Sequence, residues 1–120
     1  MHHRVRTDLW GYATDEVLSY DQMVNEEYRG IRPAPGYPAC PAHEVKEDLL
    51  RVIGSEDIGM TLTESMAMNP ASSVSGFYLA HPDARYFNVG KVSVDQIEDL
   101  AKRRGDLVEN IRRQLASSVD

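Results

Sequence analysis

The amino-acid sequence predicts an α+β fold: a short antiparallel three-stranded meander with flanking helices and a rigid proline-rich loop. Three observations point to it. Apolar residues recur at helical spacing over 43–53, 93–104 and 106–115. Between the first two of these stretches, Val, Phe, Tyr and Leu cluster in short runs separated by Asn69-Pro70 and His81-Pro82-Asp83. Finally, four prolines (33, 35, 38 and 41) fall within nine positions, removing four backbone donors and fixing φ, so that segment is neither helix nor central strand. Strands and helices thus come in separate blocks, as in α+β chains.

In chain order, Met1 to Trp10 predicts a helical turn or two, with Val5, Leu9 and Trp10 on one side and Gly11 as the stop. Ser19 or Asp21 caps a second short helix, in which Met23, Val24 and Tyr28 supply the apolar spacing and Gly30 the end. Arg32 to Pro41 is an extended, stiff loop. A helix over His43–Ile53 follows, with Val45, Leu49, Leu50 and Ile53 as its apolar stripe and Gly54 closing it. Thr61–Met68, Val74–Ala80 and Tyr86–Val89 predict the three strands. Ser93 and Gln96 form a capping-box start for a helix through Arg104, with Ile97 and Leu100 inward and Gly105 as the stop. Asp106 caps a last helix in which Val108, Ile111 and Leu115 share a face. The abrupt helical start and the thin core predict a chain that is part of a larger domain.

The composition narrows the function. A 120-residue chain that is 42% hydrophobic and 27% charged is one globular domain or a piece of one. A net charge of −6 counts against a reader of nucleic-acid backbone. No run approaches about 18 consecutive apolar residues, so no membrane span is expected. The single cysteine, Cys40, and the absence of an apolar leader predict a reduced, cytoplasmic setting. No P-loop, dinucleotide fingerprint or nucleophile elbow occurs, so no catalytic residue is expected. Cys40 and His43 make a C-x₂-H pair with no second pair after it, so no metal site, zinc included, is expected. The acidic residues Asp15, Glu16, Asp21, Glu26 and Glu27 read as a solvated face.

The segment with the most chemistry is Arg32–Pro41. A stiff loop binds at lower entropic cost than a flexible one. Arg32 offers a planar fork for carboxylate or phosphate, Ala34 offers main chain, Gly36 lets a neighbour approach closely, and Tyr37 adds an aromatic wall. Spacing alone leaves a second reading open, a surface loop whose arginine pairs with a glutamate. The small, polar 69–73 connection also has two readings, a ledge for a flat ligand or a plain hairpin link. Tyr86 and Phe87 fall on opposite faces of their predicted strand, so at most one of them meets a ligand there.

Tyr28–Pro41 closely resembles the signature loop of the activation domain of cobalamin-dependent methionine synthase. The resemblance continues through Gly59–Ser65, Pro70–Tyr78, His81-Pro82-Asp83 and Tyr86, and takes in Trp10–Ala13 and Asp95–Ala101. It implies that residues 1–120 are the C-terminal part of such a domain, with the N-terminal part absent, within a C-shaped α+β fold. It also implies binding of S-adenosylmethionine. The R-x-x-x-G-Y motif falls on Arg32, Gly36 and Tyr37, with the arginine at the ligand's carboxylate end, main chain near Ala34 at the adenosine, and the aromatic pair on Tyr86 and Phe87. Relatives often carry tyrosine as the second of that pair, so Phe87 lacks a hydroxyl. The implied function is support of reductive methylation of cob(II)alamin to methylcobalamin within a methyltransferase. Its partners would be a separate cobalamin-binding module and flavodoxin or an equivalent reductase. Alone, the chain is expected to bind S-adenosylmethionine weakly or not at all. The alternatives are a stand-alone, non-catalytic module for a small ligand or a protein, and a remnant that folds poorly.

Overall fold

The computed structural model describes residues 1–119. They pack as two units, Met1–Pro33 with Phe77–Tyr86, and Ala34–Gly76 with the residues from Phe87 onward.

In the first unit, α1 (His2–Arg4) runs into a π-helical turn over Val5–Leu9. That wider turn shifts the helical phase. Leu9 and Trp10, expected inside, are 62% and 58% exposed, and the buried side chains are His2 and Arg6. Both are satisfied in place: His2 stacks on Tyr78 and meets the edge of Tyr28, and Arg6 Nε donates to Glu16. The α2 helix (Tyr20–Val24) starts on a capping box between Ser19 and Gln22, as its sequence suggests. It stops at Asn25, well before Gly30, and Glu26 follows with φ at +58°. Ile31 forms an antiparallel bridge with Leu79 and is buried beneath it.

The second unit holds α3 (Val45–Ile53), a 3₁₀ turn (Ser55–Ile58), β1 (Thr61–Leu62), β2 (Met68–Asn69), α4 (Val94–Arg104) and α5 (Val108–Gln114). Among the described residues the sheet has two strands, with Thr61 opposite Asn69 and Leu62 opposite Met68. The predicted three-stranded meander is therefore corrected. Its first strand folds back on itself because Thr63 Oγ1 accepts the Ala67 amide, a local bond that competes with the ladder. Residues 74–80 contribute only the Leu79 bridge, and 86–89 form no strand.

The C-terminal helices follow their sequence closely. Ile97 and Ala101 of α4 and Ile111 and Leu115 beyond it make the core of the second unit, with Val92, Leu100 and Val108 packed against them. Removing a side chain such as Ile97 from water contributes roughly 1.5–3 kcal/mol. The Ser93–Gln96 capping box forms, and Gly105 ends α4 at φ +64°. Asp106 lies one position before the N-cap, Leu107, where its carboxylate accepts from the Leu107 amide and the Asn110 side chain. In α3 the buried face is Leu50 and Lys46, while Ile53 is exposed.

Candidate ligand-binding site

Arg32 and Tyr86 belong to the first unit, and the structure brings them together. The Arg32 amide donates to the Tyr86 hydroxyl at 3.0 Å, and that hydroxyl shares a hydrogen bond with Tyr28 at 3.0 Å. Burial and the bond to Tyr86 push the Tyr28 phenol up to about 12. Burial works against the Arg32 charge, but the two phenols beside it outweigh burial and hold the guanidinium above its ordinary value. Arg32 is exposed. No ion pair to a glutamate ties it down among the described residues, so the surface-loop alternative gains nothing here. The phenol pair thus presents a permanent cation at the surface with its backbone anchored from behind.

Tyr28 was not legible as part of this arrangement, since its apolar spacing suggested a helix face. Its ring also carries Arg6, whose guanidinium carbon lies 4.8 Å from the ring centroid. His2 completes the cluster through a 3.3 Å contact between Nε2 and the Tyr12 hydroxyl. Burial, then the positive charges of Arg6 and Arg32, lower the His2 pKa to about 4 from 6.5. Between those values the unfolded chain binds a proton that the folded chain does not. The stability contributed by neutral His2 is therefore complete above pH 6.5 and is lost as pH falls towards 4. Denaturant titrations at pH 7 and pH 4.5 should show a loss of roughly 1–2 kcal/mol from this group. His2→Phe keeps the ring contacts and should remove that part of the pH dependence.

Ala34, Gly36, Tyr37 and Phe87 belong to the second unit. Residues 34–40 form two tight turns. The Gly36 amide donates to Cys40 O at 2.8 Å, the Cys40 amide to Tyr37 O at 2.8 Å, and the Tyr37 amide to Ala34 O at 3.3 Å. The Gly36 and Tyr37 amides are thus used inside the turns. Among the described residues the Ala34 amide donates no hydrogen bond to the protein. Gly36 does allow a close approach, at φ +92°, but the neighbour is the His43 imidazole. Tyr37 and Phe87 are 67% and 56% exposed. A cleft of about 450 Å³ beside this turn is lined by Tyr37, His43, Asn88 and Arg113. Cys40 is half-buried, and burial raises its thiol pKa against the pull of Arg104, which disfavours a thiolate nucleophile. In the 69–73 connection, Asn69 donates to Thr61 Oγ1 and the Ser73 amide to Pro70 O; because 74–80 form no strand, the segment is a turn that leaves β2 and not the link of a hairpin.

An exposed guanidinium, phenols and turn main chain on an α+β scaffold are the equipment of a binding module rather than of an acid–base centre. The chain belongs to the family of vitamin B12-dependent methionine synthase activation domains, whose model matches residues 1–105. It is also similar to a solved structure, the MetH reactivation domain bound to AdoHcy, with 48% sequence identity and a TM-score of 0.90. The match covers 98% of this chain and 37% of that one, so the chain spans a little over a third of its neighbour's length. No helix among the described residues is long and apolar enough to cross a membrane.

Proposed function

We propose that residues 1–120 are the S-adenosylmethionine-binding, C-terminal part of a methionine synthase reactivation domain, acting in the cytoplasm as part of a methyltransferase. The observation that carries this reading is 48% identity over 98% of the chain to a reactivation domain solved with AdoHcy. AdoHcy is what remains of S-adenosylmethionine once its methyl group has left. Arg32 holds the amino-acid carboxylate, for which a fixed, permanently charged fork is suited. Main chain at Ala34 meets the adenosine portion, Gly36 and Tyr37 complete the motif of that turn, and Tyr86 and Phe87 supply aromatic surface.

When bound, S-adenosylmethionine supplies a sulfonium methyl group for reductive methylation of cob(II)alamin, which a separate module holds. Flavodoxin or an equivalent reductase supplies the electron. This chain's own residues bind and orient the methyl donor, a role that needs neither a general acid nor a general base.

Amide chemical shifts followed during titration with millimolar S-adenosylmethionine detect even weak binding. Saturable shifts at residues 32–37 are expected, and Arg32→Ala should bind about tenfold more weakly or worse, since a charge-assisted hydrogen bond contributes roughly 1.5–3 kcal/mol. Equal binding by Arg32→Ala would remove that residue from the site. No saturable shift in the unmodified chain would remove binding by this chain.

A further inference from the structure

Gly36 reads from sequence as room left for a ligand, yet the structure fills that room with a side chain. A Cβ built at Gly36 would lie 2.2 Å from His43 Cε1, 2.7 Å from Nδ1 and 2.9 Å from Nε2. The imidazole is therefore pressed against the main chain of the turn. It is also held from behind. Lys46, only 8% exposed, directs its ammonium to Met66 O at 2.6 Å and to His43 Nδ1 at 3.1 Å. Lysine has donors and no acceptor, so Nδ1 accepts and the ring proton sits on Nε2. Met66 lies in the turn between β1 and β2, at φ +63°. A buried cation thus ties that hairpin turn to the ring beneath Gly36.

We propose that His43, fixed by Lys46, is a positioning residue for S-adenosylmethionine binding: it sets the Ala34–Tyr37 turn and presents its Nε2–H beside Tyr37. The inference rests on the binding reading above and adds to it a residue outside the R-x-x-x-G-Y motif. It assigns the glycine at 36 a second purpose, that of seating an imidazole. It also gives the buried lysine a role beyond hairpin stability.

The ring and the acceptor can be separated by substitution. His43→Asn keeps an acceptor near the Nδ1 position and loses the ring, whereas His43→Phe keeps a ring under Gly36 and loses the acceptor. Three readouts apply: the imidazole tautomer from long-range ¹H–¹⁵N spectra, hydrogen exchange of the Gly36 amide, and affinity for S-adenosylmethionine by amide-shift titration. The expected tautomer carries its proton on Nε2. His43→Asn should speed Gly36 exchange and weaken binding, each about tenfold, while His43→Phe, which keeps the ring but loses both nitrogens, should hold Gly36 exchange within about twofold of the unmodified chain and still weaken binding about threefold or more. Unchanged exchange at Ile97 and Ile111 shows that the helical core persists in each variant. The proposal is overturned by a proton on Nδ1, or by His43→Asn matching the unmodified chain in both Gly36 exchange and affinity. If the unmodified chain takes up no S-adenosylmethionine, the binding reading falls by itself, and the tautomer and exchange results still decide whether His43 sets the turn.

Discussion

Replacing Gly30 with alanine is expected to destabilise the first unit by about 3 kcal/mol or more, an effect that thermal and urea denaturation will read directly. Two costs add at this position. Gly30 has φ +78°, in the left-handed region where a residue with a Cβ is strained by roughly 1–2 kcal/mol. The new methyl would also lie 2.2 Å from the Leu79 carbonyl oxygen and 3.2 Å from Ala80 Cα. Those neighbours are main chain, so no rotamer change relieves the contact. The same Leu79 carbonyl accepts the Ile31 amide at 3.0 Å, and the Leu79 amide donates back to Ile31 O at 2.9 Å. Moving Leu79 away from the added methyl would therefore break its bridge to Ile31. Gly105→Ala is the matched control: φ is +64°, but nothing lies within 4 Å of the added carbon. It should cost only the backbone strain, about 1 kcal/mol. Equal losses for the two variants would show that the Gly30–Leu79 approach relaxes freely.

How far the fold could be read from sequence follows from where local signals decide structure. In α4 stripe, capping box and stop agree, whereas α3 keeps its predicted stop but exposes Ile53 and buries Lys46, and α5 keeps its stripe but has Leu107 at the N-cap; Gly54 and Gly105 both end their helices in the left-handed conformation. The meander was not legible, because Thr63 and Ser65 have strand-like alternation but spend their hydroxyls on their own turn. The first unit was least legible of all. Its interior is polar, and a hydrophobicity pattern does not reveal that His2 and Arg6 are buried while Leu9 and Trp10 are not. In the stiff loop, residue chemistry alone singles out Arg32, Gly36 and Tyr37. The contacts of Tyr28 with Tyr86, of His43 with Gly36 and of Lys46 with Met66 were not legible, because no sequence spacing connects those pairs. Tyr28 reaches Tyr86 from 58 positions away, and Lys46 reaches Met66 from 20.

Glu16 gives the second large effect and is the member of the expected solvated face that departs from it, since Asp15, Asp21, Glu26 and Glu27 are exposed. Glu16 Oε1 accepts from Arg6 Nε at 2.5 Å, and the two side chains are 11% and 2% exposed. Glu16 Oε2 accepts the Arg29 amide at 3.0 Å, and Arg29 in turn donates from its side chain to Ala80 O and Tyr12 O. Glu16 thus neutralises a buried guanidinium and fixes the strand of chain that leads into Gly30 and Arg32. Glu16→Gln preserves the shape and one of the two accepted hydrogen bonds but leaves Arg6 buried with no counter-charge. Breaking a buried pair from one side typically costs about 3–5 kcal/mol, a large share of the roughly 5–15 kcal/mol that holds a domain together. Arg6→Met alone should also destabilise, because it strips Glu16 of its partner and Tyr28 of the cation over its ring. The double variant, Arg6→Met with Glu16→Gln, removes the uncompensated charge altogether and should recover at least half of the loss caused by Glu16→Gln. Urea denaturation of all four proteins closes the cycle. Strictly additive losses would mean that water reaches Arg6 and that the pair is no more than a surface contact. A strong coupling would mean that the electrostatics of this unit are set inside it, by a buried pair well upstream of the arginine that it holds out to solvent.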